Sequence, residues 1–437
     1  MRQWRTMVVT LVAALILAGC GQQPAQPAAE RQAQQGNQQA GTTSEQAVEI
    51  FSWWTGAGEE AGLLALIDLF KKQNPGIDVI NAAVAGGAGT NAKAVLASRM
   101  QAGNPPDTFQ VHAGRELLDT WVAAGKMEPL NFLYDEEGWR DKFPKDLIDM
   151  LSKDGQIYSV PVNIHRGNVL WYNAKVFDQH GLKPPKTFDE FFQVADALKS
   201  KGVTPLALGD KEPWTLLHLW EDILLGVAGP EGYKALFTGS KPWNGPEVRQ
   251  SLEILGRMLQ YVNVDHAARN WQDAAKLVAD GQAAMNVMGD WVKGYYTVDL
   301  KLKPEEDFGW APTPNTEGSF MVVSDTFGLP VGIKHRDATI KWLKLLGSVE
   351  GQDTFNPLKG SIPARLDADP SKYDAYGKST MEDFKTNELV PSLAHGSAAP
   401  PAFVEQATQV IRVFATTGDV DTALQGLASA AKQYLDQ

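Results

Sequence analysis

Val48-Glu49-Ile50-Phe51-Ser52-Trp53-Trp54 opens the stretch whose reading decides the fold. The run is rich in β-branched and aromatic residues and reads as a strand. Leu63, Leu66, Ile67 and Phe70 then recur at helical spacing, and Asn74-Pro75-Gly76 stops that helix. Asp78 to Val84 reads as a second strand. Ala92, Val95, Leu96 and Met100 mark a second helix, closed by Gly103-Asn104-Pro105-Pro106. Thr108 to His112 is a third strand, and Leu117, Leu118, Trp121 and Val122 line the face of a third helix. This alternation predicts an α/β fold with an open, mainly parallel sheet covered by helices. In such sheets ligands sit beyond the carboxyl ends of the strands. Three groups fall there: Trp53-Trp54, Gly86-Gly87-Ala88-Gly89, and Gln110 with His112, whose spacing turns both to one face.

Toward the N-terminus, Arg2 and Arg5 flank the start of an uncharged apolar run, Met7 to Leu17. It is far shorter than the roughly 20 residues that span a bilayer, so it reads as a secretory signal core. It ends in Leu17-Ala18-Gly19-Cys20, which resembles the bacterial lipobox. The resemblance implies that residues 1–19 are a signal peptide and that Cys20 carries the lipid. Gly21 to Gln46 is rich in Gln, Ala, Gly and Pro and holds no aromatic or large aliphatic residue. It cannot offset its ordering entropy, so residues 20–46 read as a lipidated cysteine and a flexible linker. Cys20 is the single cysteine, which excludes an intrachain disulfide. The formal charge of −12 makes nucleic acid or an anionic membrane surface a poor partner. The anchor therefore has to be the lipid. The remaining chain of about 390 residues is too long for one ordinary core and implies two lobes.

Catalytic signatures are sparse. Gly87-x-Gly89-x-x-Ala92 imitates a dinucleotide fingerprint, with a strand before it and a helix after. The acidic residue that should end the next strand is replaced by Gln110 and His112. The glycines instead suit a tight turn whose backbone comes close to a ligand or to the other lobe. There is no GxSxG, HExxH, Walker loop or CxxC. No catalytic residue, metal or cofactor is expected. A glycoside hydrolase, which needs only two placed carboxylates, stays open as the alternative.

The middle of the chain reads Tyr158-Ser159-Val160-Pro161, then Leu170-Trp171-Tyr172-Asn173-Ala174-Lys175-Val176-Phe177. Gly181-Leu182-Lys183-Pro184-Pro185-Lys186-Thr187-Phe188-Asp189-Glu190 follows. Further on come Asp280-Gly281-Gln282-Ala283-Ala284-Met285, Met288-Gly289-Asp290-Trp291, Ser348-x-Glu350-Gly351-Gln352 and Gly360-Ser361-Ile362-Pro363. This ordered set resembles the sugar-binding proteins of ABC importers, with Phe188 where the family usually has Trp. Within that family, Ser52-Trp53-Trp54-Thr55, Gln110-Val111-His112, Asn163-Ile164-His165-Arg166, Asn356-Pro357-Leu358-Lys359 and Ser392-Leu393-Ala394-His395 resemble the glucose/mannose-binding subgroup.

The resemblance implies a two-lobed, type II periplasmic-binding-protein-like fold with the ligand cleft between lobes. It implies a first lobe of 48–155 plus 315–357 and a second of 156–314 plus 358–437. Sugar contacts would fall on Trp53, Trp54, Glu59, Gln110, His112, Trp271, Asp290, Lys359 and His395. It further implies a monomer outside the cytoplasm, held by its lipid. The partners would be an ABC permease and a monosaccharide, glucose first, with galactose and mannose as its alternatives.

The residue chemistry fits independently. A sugar presents an apolar C–H face that suits an aromatic surface and a rim of hydroxyls that suits charged acceptors and donors. Trp53, Trp54, Trp214, Trp243, Trp271 and Trp291 sit in loops or beside Gly and Pro. Of adjacent Trp53 and Trp54, one should pack and one face the cleft, because neighbours on a strand point opposite ways. Asp290 follows the strand-like Ala284–Met288 and a turn glycine, which suits either a cleft-facing acceptor for two hydroxyls or a helix cap. For His165-Arg166 the reading favours a structural role at the lobe crossing. A receptor for iron, polyamines or peptides is a third class: peptides fit less well because monosaccharide-type sites are small and Trp-lined, and iron because no Tyr-rich or carboxylate-rich cluster is visible.

Overall fold

The computed structural model describes residues 46–435. Cys20 and its surroundings lie outside them. The segment Ala47–Phe51 is buried except at the half-buried Glu49 and pairs in parallel with Asp78–Asn81 and Thr108–His112. Between the first two strands runs the helix Ala57–Gln73, with Glu59 and Glu60 in its first turn and Lys71 and Lys72 in its last. That charge order complements the helix dipole. Its Leu63, Leu66, Ile67 and Phe70 are buried as their spacing predicts. The second expected strand is shorter, ending at Asn81. The sheet is completed by two strands from later in the chain, in the order Asp78–Asn81, Ala47–Phe51, Thr108–His112, Asp325–Gly328, Ser159–Pro161. Asp325–Gly328 runs antiparallel to both neighbours, so the sheet is mixed.

A second sheet has the order Phe308–Pro312, Val169–Asn173, Ala283–Val287, Thr204–Ala207. Helices Phe188–Ser200, Trp214–Phe237 and Pro401–Thr417 contribute to its core, which includes Phe191, Leu217, Trp220, Leu255 and Phe403. The fold is thus α/β and two-lobed. A small third sheet, Glu388–Pro391, Ser319–Val323 and His165–Arg166, stands where the chain crosses between cores. In Ser319–Val323, Phe320 and Val322 pack into the first core and Met321 into the second. This is the two-residue period of a strand shared by two interiors.

The side chains Val160, Val162 and Ile164 pack in the first core, as do Ile362, Ala364, Tyr373 and Met381. The expected boundaries put these in the second lobe. Ser159–Pro161 pairs with Asp325–Gly328 of the first sheet and carries Val162 and Ile164 with it, and Ile164 in turn bridges to Ile362. No helix among the described residues is long and apolar enough to cross a membrane.

Candidate functional site

A cavity opens where the carboxyl ends of strands from both large sheets meet the crossing strands. Its aromatic walls are Trp53, Trp214, Trp271 and Trp291, and its polar lining is Glu59, His112, His165, Asp325, Lys359 and His395. The backbone of Gly87 and Ala88 closes one side. It holds about 370 Å³ free of protein atoms, mouth included.

The tryptophan pair divides as a strand end requires. Trp53 faces the cavity, its ring edge-on to His112 at 5.1 Å and with Lys93 Nζ at 5.6 Å from its centre. Trp54 points the other way into the core against Phe327 and Phe355, so it does not line the cavity. Glu59 lines it and forms an ion pair with Lys359, while Glu60 is exposed.

Gln110 also stands behind the wall. Its Oε1 accepts the Trp53 N–H at 3.0 Å and its Nε2 donates to Asp325 Oδ1 at 2.7 Å. Asp325 Oδ2 accepts from Asn163 Nδ2 at 2.8 Å, and its backbone N–H donates to Asn163 Oδ1 at 2.8 Å. Two histidines flank this carboxylate, with His112 Nε2 at 3.8 Å and His165 Nε2 at 3.6 Å. Burial pushes the Asp325 pKa up, but the polar contact with His165 and the charge of Lys359 overcome it and hold the group ionised far below the usual range.

Behind His112, Glu116 contacts its Nδ1 at 2.9 Å and accepts Lys93 Nζ at 2.8 Å. Burial opposes the charge on Glu116, but Lys93 and His112 pull its pKa down to about 2. An ionised Glu116 holds a proton on His112 Nδ1 and so orients the ring in the cavity wall.

Asp290 is set behind the cavity wall. It is fully buried and does not line the cavity. Its Oδ1 is bonded to His165 Nδ1, and its Oδ2 accepts from the Arg166 N–H at 3.0 Å and the Tyr376 hydroxyl at 3.1 Å. It precedes the helix Trp291–Gly294 but makes no capping bond with its side chain. It positions His165, which reaches the cavity. Burial disfavours a charged His165, yet the adjacent Asp290 carboxylate outweighs this and raises its pKa. Arg166, in contrast, ties elements together, contacting Asp383, Asn168 and the Ser319 carbonyl.

His395 meets Trp214, Trp291 and His112 at ring separations of 5.6, 5.1 and 5.3 Å. Burial, with His112 and His218 nearby, holds its pKa well below the ordinary value, so it is neutral. One layer deeper, His218, Glu221 and His395 offer atoms within 4.8 Å of one another, a spacing that could suit a metal. The Glu221 oxygens, however, already contact His218 Nδ1 and accept from the Ser392 and Tyr233 hydroxyls and the Leu393 and Ala394 N–H groups. That carboxylate is committed to holding the loop that carries His395. Trp243 is core, packed on Trp220, Phe237 and Phe403.

The structure therefore brings Trp53, Glu59, His112, Trp271, Lys359 and His395 together and sets Trp54, Gln110 and Asp290 behind them. It adds His165, Trp214, Trp291 and Asp325. Asp325 had a legible signal, a lone carboxylate in the otherwise uncharged run Phe320–Leu329.

Residues 52–353 match the family of bacterial extracellular solute-binding proteins. An uncharacterised ABC-transporter extracellular-binding protein of Pyrococcus horikoshii is 41% identical over 90% of this chain and 89% of its own length. The xylose/arabinose-binding protein of Haloferax volcanii is 31% identical over 83% of this chain and 79% of its own. Among solved structures, a chitin oligosaccharide binding protein superposes with a TM-score of 0.79 at 21% identity, covering 90% of this chain and 99% of that one.

Proposed function

The chain belongs to the bacterial extracellular solute-binding protein family, and we propose that it captures a neutral monosaccharide, glucose or a close relative, for an ABC permease. It is a sugar-binding component of an ABC transporter and not an enzyme. The observation that carries the finer reading is the cavity, with four tryptophans, Trp53, Trp214, Trp271 and Trp291, around a small polar space. Indole faces suit the C–H face of a pyranose, and the polar groups suit its hydroxyls. The size of the cavity favours one ring over a chain of rings.

The charges favour a neutral ligand. Lys359 is matched by Glu59, and Asp325 is filled by the amides of Gln110 and Asn163. An anionic or cationic sugar would leave one of these unbalanced in a buried place. The named relative for xylose and arabinose supports a monosaccharide. The solved chitin-oligosaccharide binder supports the fold alone.

Capture would work by closure. Sugar bound on one lobe is buried when the lobes rotate together about the crossing strands, and closure is driven by the higher affinity of the closed state. We place the first lobe at about 47–164 plus 324–381, from the membership of its core. We also propose that Cys20 carries the lipid and that residues 21–46 tether the receptor to the membrane. Native mass spectrometry with D-glucose, D-galactose and D-mannose tests the reading. One intact hexose per chain is expected, recovered unchanged on denaturation. No hexose adduct from a folded sample overturns it.

A further inference from the structure

The loop Gly86–Gly89 belongs to the first lobe and overhangs the cavity. Its backbone is held in uncommon conformations, with φ of 141° at Gly86, 48° at Ala88 and 76° at Gly89. A positive φ at a residue with a Cβ is strained and persists where surroundings enforce it, often at functional sites. Among the described residues, the hydrogen bond from this loop to the second lobe is made by Gly87, whose N–H donates to Glu212 Oε1 at 3.1 Å. The other oxygen, Glu212 Oε2, accepts from Trp214 Nε1 at 3.2 Å. A Cβ on Gly87 would come to 2.4 Å from that carboxylate's Oε2 and 3.0 Å from Trp214 Nε1, so a side chain there would push Glu212 out of its place.

The remaining contacts near the cavity are of another kind. Gly114 packs directly on Ser397, and the Glu116 N–H donates to the Gly396 carbonyl at 2.8 Å. Gly58 packs on Leu358 and Gly294. These are tight backbone approaches, joined by bonds from buried side chains: Ser397 Oγ donates to the Ala113 carbonyl at 2.8 Å and Lys293 Nζ to the Pro357 carbonyl at 3.1 Å. At the Gly87 loop the hydrogen bond that joins the two sides runs through one partly exposed carboxylate, beside the packing of Ala88 on the Trp214 cluster.

We propose that Glu212 is the closure latch of this cavity, a positioning residue that couples the Gly87 loop of one lobe to the Trp214 wall of the other and thereby slows ligand release. The latch rests on the two-lobe sugar-receptor reading above, yet its geometry does not depend on which sugar binds. Glu212 does not line the cavity. Its effect therefore falls on how long the lobes stay together, and not on contacts with the ligand.

The test uses the full chain and the variants Glu212→Ala, Glu212→Gln, Gly87→Ala and the double variant Gly87→Ala/Glu212→Ala. Stopped-flow tryptophan fluorescence with D-glucose, D-galactose and D-mannose gives both rates. Small-angle X-ray scattering without sugar gives the lobe opening. Loss of a hydrogen bond to a charged group, discounted for partial exposure, predicts dissociation from Glu212→Ala faster by about tenfold. Association should stay within about twofold. Glu212→Gln, which keeps one acceptor, should fall between. The unliganded Glu212→Ala protein should scatter as a more open particle with an unchanged Tm. Gly87→Ala should also speed release, but should add little to Glu212→Ala, because the overlapping carboxylate is gone.

Equal rates and equal scattering in wild type and Glu212→Ala overturn the latch. So does a Tm loss with association and dissociation affected alike, which marks a merely structural carboxylate. If the wild type responds to none of the sugars while Glu212→Ala still opens, the latch stands and the sugar reading fails.

Discussion

Replacing Asp290 by Asn separates a positioning carboxylate from a sugar ligand. The wild-type carboxylate faces three donors: His165 Nδ1 on one oxygen, and the Arg166 N–H and Tyr376 O–H on the other. An Asn side chain keeps a single acceptor. Turning its oxygen to Arg166 and Tyr376 leaves its NH₂ facing His165 Nδ1. His165 must then be neutral with its proton on Nε2, toward Asp325 Oδ2 at 3.6 Å. The charge-assisted bond is lost, at about 1.5–3 kcal/mol.

The pH dependence gives the diagnostic. Although burial opposes the imidazolium, Asp290 raises the His165 pKa above the ordinary value. A base whose folded pKa is raised contributes stability that is full below its unfolded pKa of about 6.5 and is lost as pH rises through the folded pKa. Urea unfolding without sugar should therefore show Asp290→Asn less stable by about 1.5–3 kcal/mol near pH 5.5, with the gap narrowing near pH 9. Asp290→Ala also orphans the Arg166 and Tyr376 donors and should cost about 3–5 kcal/mol. Sugar affinity should fall as well, because the cavity-facing atom of His165 changes. A stability gap equal at both pH values would refute the His165 pairing. Unchanged stability with affinity alone lost would return Asp290 to direct sugar contact.

Other outcomes follow from the same geometry. Glu116→Gln should weaken sugar binding on the order of tenfold, measured by fluorescence titration, because His112 loses the carboxylate that orients its ring. The stability that Glu116 contributes should be lost in acid unfolding as pH falls from about 4.5 toward about 2. Trp53→Ala should abolish most of the sugar response with the fold kept, whereas Trp54→Phe should lower Tm by a few degrees and leave affinity intact. His395 is held neutral, so stability should decline below about pH 6.5 as the unfolded chain takes up a proton, and His395→Gln should flatten that decline. Wild-type protein expressed in a bacterium should partition into detergent with a modified Cys20, and Cys20→Ala should not, as read by mass spectrometry of the N-terminus.

What was legible in the chain was local. Helical spacing at Leu63, Leu66, Ile67 and Phe70 and the buried strand Thr108–His112 appear as read. So does the opposed orientation of Trp53 and Trp54, which needs only the two-residue period of a strand. The mixed order of the first sheet was not legible, because Asp325–Gly328 arrives from more than two hundred residues away along the chain to pair with Thr108–His112. Side-chain direction at Asp290 failed for a related reason. Its place after a strand and a glycine was readable, but the groups that turn it inward sit on His165 and Arg166, 125 and 124 residues earlier. Gln110 was placed correctly at the strand end, yet its amide is consumed by the Trp53 N–H and Asp325. Trp214 and Trp291 were visible as loop tryptophans, but nothing local distinguishes them from Trp243, which fills the core.

The account rests on a cavity that accepts one neutral sugar ring between tryptophan walls. Isothermal calorimetry of residues 46–437 against glucose, galactose, mannose, a hexuronate, maltose and a trisaccharide tests this most directly. A neutral monosaccharide should bind one to one at micromolar Kd or tighter, about −8 kcal/mol or better, with the hexuronate and the trisaccharide weaker by at least about a hundredfold. Tightest binding to the trisaccharide, or to the hexuronate, or heat from none of the sugars with a folded sample, would contradict it.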